Sequence, residues 1–183
     1  MPDKDHKPAD DPTARLAAAG KGSRPAPVHL WNPPYCGKMD LTIRADGSWW
    51  HEGTLITRPA LVQLFANILK YEDNRFYLVT PVEKLGITVQ DAPFLATDLD
   101  DTPEGLRFQI NYAPPVIAGP ENPLRVDFAP DGTPRPYVLV RPDLWALIDR
   151  KTFYRLATRA TSGPDGRAGV TSQNVFFPLE GQP

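Results

Sequence analysis

Few residues in this chain could perform covalent chemistry. Cys36, Asp40 and His51 fall within one short stretch. A histidine near a cysteine lowers the thiol pKa and yields a nucleophilic thiolate, so the trio suggests a cysteine-dependent hydrolase. No distinctive motif surrounds Cys36, and cysteine is as often a small buried hydrophobe. The histidines, His6, His29 and His51, are scattered, and no His-x-x-x-His or Cys-x-x-Cys pair occurs, so neither a metal nor another cofactor is expected. Asp98-Leu99-Asp100-Asp101 lacks the glycine and distal glutamate of a calcium loop and reads as a solvated loop. Gly20-Lys21-Gly22-Ser23 resembles a phosphate loop only superficially, because no strand precedes it.

Charged residues at the ends of predicted elements are more informative. Glu83, Lys84 and Asp91 lie between apolar strands, in the segment that must link two parts of the chain. A lysine beside a helix N-terminus can hold an anion; the same residues could equally form a surface ion pair and a turn. Arg58 and Arg141 share that ambiguity, each bonding groups near a helix start or facing a shared cleft.

Composition limits the functions that these residues can serve. The 183 residues carry 20 basic and 22 acidic side chains, for a net charge of −2, with no run of like charge. Duplex binding needs clustered Lys and Arg to displace counterions, so nucleic acid is not an expected partner. Hydrophobic content of 41% is enough for a core. No stretch approaches the roughly 18 apolar residues that span a bilayer, and no apolar region near the start marks a signal peptide. A single cysteine permits no intrachain disulfide. A cytoplasmic protein without a membrane partner is expected.

The elements that position these residues follow from periodicity and turn chemistry. Residues 1–27, broken by five prolines, read as a disordered tail with at most a short helix over Thr13–Ala19. Asp46-Gly47 marks a hairpin between Leu41-Thr42-Ile43 and Trp49-Trp50-His51. Pro59 opens a helix whose apolar face, Leu61, Val62, Leu64, Phe65, Ile68 and Leu69, repeats at the helical period. Strands are predicted at Phe76–Val79, Ile87–Val89, Phe94–Ala96 and Leu106–Ile110, the middle ones forming an antiparallel meander because their loops are short. Pro114 to Pro123 is the predicted boundary, giving halves at 28–113 and 114–183. The pattern then recurs: Leu124–Phe128, Asp131-Gly132, Tyr137–Val140, and Arg141-Pro142-Asp143-Leu144 matching Arg58-Pro59-Ala60-Leu61. The prediction is an α+β fold with antiparallel sheets, built from a duplicated strand–turn–strand–helix–strand unit.

Several motifs together resemble a bacterial family, domain of unknown function 1285. They are Cys36-Gly37-x-Met39-Asp40, Asp46-Gly47-x-Trp49, His51-x-Gly53, Arg58-x-x-Leu61-Val62-x-Leu64-Phe65, Thr80-Pro81-Val82-Glu83-Lys84 and Asp91-Ala92-Pro93-Phe94. Pro136-Tyr137-Val138 and Arg141 also fit. The resemblance spans residues 35–179. It implies a duplicated α+β fold, a C-terminal half like pleckstrin-homology domains, a nucleotide-like ligand between the halves and a role in signal transduction. Matching the motifs residue by residue offers Arg58, Glu83, Lys84 and Asp91 as interface residues. Asn111 and Arg141 are added by position, and Tyr77 or Trp50 as a stacking face. The leading expectation is therefore a non-enzymatic ligand-binding protein. The alternatives are a protein–protein adaptor using Trp31, Trp49 and Trp145, and the cysteine hydrolase.

Overall fold

The computed structural model describes residues 11–181, a mixed α+β fold with few helices. It begins with α1 (Pro12–Ala19). Asp11 caps this helix by accepting the Thr13 N–H at 2.9 Å, and Pro12 occupies the first turn. Leu16 is fully buried in the main core. Residues 11–27 are thus not the unordered tail that their composition suggests; residues 1–10 of that predicted tail lie outside the described residues. The reason is a long-range contact. α1 packs on α2 (Pro59–Ala66), and Gly20 comes so close that a Cβ there would sit 1.8 Å from the Leu64 carbonyl oxygen.

α2 starts at Pro59 as predicted but stops early. It buries Val62, Phe65 and Ala66 and ends at Asn67. The Asn67 side-chain amide donates to the carbonyls of Gly20 at 2.8 Å and Gly22 at 3.2 Å, and the Asn67 backbone carbonyl accepts the Ala26 N–H at 2.9 Å. These bonds halt the helix, so Leu69, expected on its apolar face, opens a strand instead.

The strands of the first half are β1 (Tyr35–Ile43), β2 (Trp49–His51), β3 (Thr54–Leu55), β4 (Leu69–Glu72), β5 (Arg75–Val79) and β6 (Lys84–Val89). The Asp46-Gly47 hairpin forms as predicted, with Gly47 at φ 81 and the Ser48 N–H donating to Asp46 at 2.9 Å. The six strands make one sheet, ordered β3-β2-β1-β6-β5-β4. Every pairing is antiparallel except the central one, where β1 and β6 run parallel (Thr42 opposite Thr88).

A second sheet contains β7 (Phe94–Thr102), β8 (Gly105–Ile110), β9 (Val116–Ile117), β10 (Leu124–Phe128), β11 (Pro134–Arg141) and β12 (Leu144–Ile148), ordered β10-β11-β12-β7-β8-β9. Its central pair, β12 and β7, is again parallel, with Ala146 opposite Phe94. Counting strands one to six within each half, the two sheets have the same order, 3-2-1-6-5-4. The halves are therefore similar, but not in the predicted frame. β7 to β9 belong to the second sheet, so the seam lies between Val89 and Phe94 rather than at Pro114–Pro123. That proline-rich loop crosses from one edge of the second sheet to the other, the passage that α2 makes over the first. Because the Gly119 N–H turns back onto the Asn122 carbonyl, the loop reaches at most about 20 Å. Six flat strands would place the outer two about 24 Å apart, so the second sheet must curl.

The second Arg-Pro-x-Leu does not open a helix. Arg141 and Leu144 face each other across a hairpin, and Asp143 at φ 60 follows Pro142, as a type II turn requires. Leu144–Ile148 alternates buried and half-buried residues, the period of a strand. The helix comes later as α3 (Arg150–Ala157), where the Asp149 carboxylate accepts the Thr152 N–H at 2.7 Å. A small antiparallel sheet follows: β13 (Thr161–Ser162), β14 (Ala168–Ser172) and β15 (Val175–Pro178). Asp98 to Asp101, read as a solvated loop, lies within β7. The strand is held there by Arg155 pairing with Asp98 and by Arg159 with Asp101 at 2.5 Å. Among the described residues, no helix is long and apolar enough to cross a membrane.

Leu16→Ala in the full chain should lower stability by about 2–5 kcal/mol, the usual cost of a cavity in a packed core. Urea unfolding measures it, and a change near zero would mean that α1 is not integral to the core.

Candidate functional site

Alternation along each strand sends one set of side chains to the core and the other outward. Near the seam, the rim of the first sheet's core face meets the outward set of the second sheet. β4 and β5 bring Tyr71 and Phe76, opposite each other in register with ring centroids 4.7 Å apart. β10, β11 and β12 bring Arg125, Tyr137 and Trp145. The Arg125 guanidinium lies over the Trp145 ring at 4.3 Å and over Tyr137 at 5.1 Å, a cation–π arrangement that also orients the two rings. With the connecting residues Asp91, Ala92 and Pro93 and the turn residue Asp143, these side chains line a cavity of about 370 Å³.

Asp91 is the hinge of this cleft. Its carboxylate accepts the Tyr137 O–H at 2.7 Å and is paired with Arg135. Arg135 also donates to the Tyr137 oxygen at 3.2 Å, closing a three-membered network. Burial is the main cause that raises the Tyr137 phenol above its ordinary pKa; Arg135 works against the shift, while the Asp91 acceptor adds to it.

Arg141 sits at the same seam but faces inward. It donates to the Ala66 carbonyl at the end of α2, where the helix dipole is negative, and lies 5.4 Å over the Phe94 ring. Burial pushes its pKa down to about 10, so it remains charged at neutral pH. Another bond across the seam joins the Gln63 amide to the Tyr112 carbonyl at 2.8 Å.

The predicted site residues therefore do not form one site. Asp91 lines the cleft. Arg141 ties α2 to the second sheet. Asn111 closes a backbone corner, its side chain accepting the Leu95 N–H at 2.7 Å. Tyr77 and Lys84 lie on the far face of the first sheet, where Lys84 pairs with Glu72 at 2.6 Å and lies 5.0 Å over the Tyr77 ring. The hydrogen bond to Glu72 raises the Lys84 pKa and the same bond lowers that of Glu72. Glu83 holds Arg15 of α1 at 3.4 Å. Arg58 is the exposed residue before α2 and makes no side-chain capping bond. Trp50, the other stacking candidate, packs under Arg44, whose guanidinium is 3.6 Å from its ring centroid.

Two other arrangements fail on geometry. The Cys36 thiol is exposed and donates to the Pro34 carbonyl at 3.3 Å. His51 is opposite Leu41, five residues along the strand from Cys36, or about 16 Å at the usual rise, so the pair does not assemble. The predicted tryptophan surface is also absent: Trp49 is 1% exposed and stacks on Phe65, Trp31 packs against the core, and Trp145 belongs to the cleft. Among the described residues, no group of three acidic, histidine or cysteine side chains could hold a metal. The cleft offers planar aromatic faces, one guanidinium and two carboxylates. It suits reversible binding of a flat ligand with an anionic part.

Residues 26–92 match the family described as Domain of unknown function (DUF1285), N-terminal domain, and residues 93–179 match Protein of unknown function (DUF1285), C-terminal domain. The junction between the two matches falls in the short segment between β6 and β7. The crystal structure of a DUF1285 family protein from Silicibacter pomeroyi DSS-3 is similar, with 50% sequence identity and a TM-score of 0.86 over 92% of this chain and 94% of that one. A DUF1285 family protein from Shewanella baltica OS155 is 25% identical, with a TM-score of 0.53 over 66% of this chain and 91% of that one. No curated protein matches the chain.

Asp91→Asn should move the Tyr137 titration to lower pH, because it removes the carboxylate charge that favours the protonated phenol and leaves only a neutral amide oxygen as acceptor. The sign for stability follows from linkage. A phenol raised on folding contributes stability that is complete below its unfolded pKa of about 10 and is lost as pH rises through the folded value. Ultraviolet titration of tyrosinate in the variant and the parent checks the shift; identical curves would mean that Asp91 does not govern Tyr137.

Proposed function

The chain belongs to the DUF1285 family, and for this member we propose a non-enzymatic ligand-binding function centred on the cleft between its two sheets. The observation that carries this reading is the lining of one cavity by aromatic side chains from both halves, Tyr71 and Phe76 on one side and Tyr137 and Trp145 on the other. Such faces accept a planar ring. Arg125, which also pairs with the exposed Asp127 at 3.4 Å, supplies a cation for an anionic group, and Asp143 supplies an acceptor for amino or hydroxyl donors, while Asp91 holds Tyr137 in the wall. A nucleotide-like ligand has all three features. The volume lies at the lower end of small-molecule sites, about 300–1,000 Å³.

The reading extends to context. A ligand that touches both sheets biases how they sit against each other, which suits signal transduction. A curled sheet followed by a helix supports the pleckstrin-homology-like description of the C-terminal half. The exposed free thiol of Cys36 suits a reducing cytoplasm. A second reading, a protein-interaction adaptor, draws on Leu30 and Val82, which are 73% and 74% exposed.

A thermal-shift panel of mononucleotides and cyclic nucleotides tests the proposal. A ligand at about 100 times its Kd should add about 2.7 kcal/mol of stability, and Trp145→Ala or Arg125→Ala should abolish the shift. No shift with any nucleotide at millimolar concentration would overturn it and leave the adaptor reading.

A further inference from the structure

We propose that the far face of the first sheet is a second, separate binding site, for a small anion that carries a ring. The core face of this sheet holds Leu41, Ile43, Leu78, Leu85 and Ile87, all buried. Alternation therefore turns Lys38, Arg75, Tyr77, Lys84 and Gly86 the other way. Tyr77 and Gly86 are directly opposite each other in register. With no side chain at Gly86, the Tyr35 and Tyr77 rings approach the backbone there. A Cβ at Gly86 would lie 3.6 Å from the Tyr35 ring and 3.9 Å from Tyr77.

Two features open this face. First, the parallel pairing of β1 with β6 slips between Tyr35 and Lys38, where Gly37 adopts φ 108. That bulge redirects the start of β1 and brings Tyr35 across Gly86. Second, Tyr35 stands edge-on to Tyr77, with centroids 6.2 Å apart and planes at 80°, yet remains 56% exposed. An ordinary sheet surface would cover such a ring with neighbouring side chains. Here the bulge and the glycine leave a groove of about 410 Å³, within the small-molecule range of about 300–1,000 Å³.

The charges on the groove point to an anion. Lys70 and Lys84 both pair with Glu72, at 3.0 and 2.6 Å, and share its single negative charge. Lys38 and Arg75, which line the groove, have no carboxylate partner among the described residues. Asp40, farther along β1, and Asp73, in the adjacent hairpin turn, are acids that do not line it. On a chain of net charge −2, this is a local cationic patch. A ring would lie against Tyr35, and its phosphate or carboxylate would reach Lys38 and Arg75, charge-assisted contacts of the stronger kind.

The groove and the cleft share Phe76 among the residues that line them but no charged side chain, so the experiment separates them through their charged and aromatic contacts. Nuclear magnetic resonance of the full chain would follow backbone amides during titration with phenyl phosphate, benzoate and inorganic phosphate. The expected result is saturable shifts at residues 35–38 and 86–88 with phenyl phosphate, benzoate or both. The two compounds distinguish a phosphate from a carboxylate ligand. Lys38→Ala and Arg75→Ala should each weaken binding about tenfold, as loss of a charged hydrogen bond does. Tyr35→Ala should weaken it further, and Trp145→Ala should leave it unchanged. All three groove side chains are exposed, so these variants should fold. Absence of shifts at millimolar phenyl phosphate and benzoate would overturn the proposal. So would equal binding of inorganic phosphate, or shifts that survive the Lys38→Ala, Arg75→Ala double variant.

Discussion

Four residues, Gln90 to Pro93, join the central strand of one sheet to the central strand of the other, and this short tether constrains the rest of the structure. Two six-stranded sheets linked at their middles cannot drift apart. Each must present its strands to the other near the tether. Asp91, in the middle of it, is fastened to Arg135 and Tyr137 of the second sheet. The aromatic walls of the cleft are therefore set by chain connectivity first and by side-chain packing second. Arg141 completes the joint from the other direction by bonding the last turn of α2. Its buried guanidinium would be costly to desolvate without the Ala66 carbonyl and the Phe94 ring.

Charge has a different role in the second half. The acids of β7 pair with arginines from α3, the turn after it and β8, so that Asp98, Asp100 and Asp101 have partners in Arg155, Arg107 and Arg159 respectively. Arg155 also donates to the Leu99 carbonyl at 2.6 Å. Individual exposed pairs contribute little, typically below about 1 kcal/mol. Their combined effect is orientation, since they fix the rotation of a two-turn helix that buries only Thr152 and Leu156.

The sequence made legible those features that depend on neighbours in the chain. Asp46-Gly47 and Asp131-Gly132 form the hairpins that glycine at positive φ permits, and Pro59 starts a helix. The family resemblance is borne out over both halves. Features that depend on distant partners were not legible. Asn67 stops α2 by bonding Gly20 and Gly22, some forty-five residues earlier, and no local pattern signals that. Arg-Pro-x-Leu means a helix when an amphipathic run follows and a type II turn when a strand follows, so the motif alone misled. The boundary was missed because the proline-rich loop looks like a linker, whereas the true joint is four unremarkable residues. Of the predicted site, only Asp91 reached the cleft. Tyr71, Tyr137 and Trp145 are ordinary strand residues until the two sheets bring them together.

The edges of the two large sheets have a further consequence. A β-rich chain exposes unpaired strand edges that can recruit other chains into aggregates. Here β3 and β9 are only two residues long, with prolines nearby at Pro59 and Pro115. The two longer edges, β4 and β10, carry charges on alternate positions, Lys70 with Glu72 and Arg125 with Asp127. An incoming strand would find either too few backbone groups to pair or a row of charges to desolvate. The abundance of proline and the spacing of charge thus have a colloidal meaning: they keep a protein made mostly of strands from polymerising through its own edges.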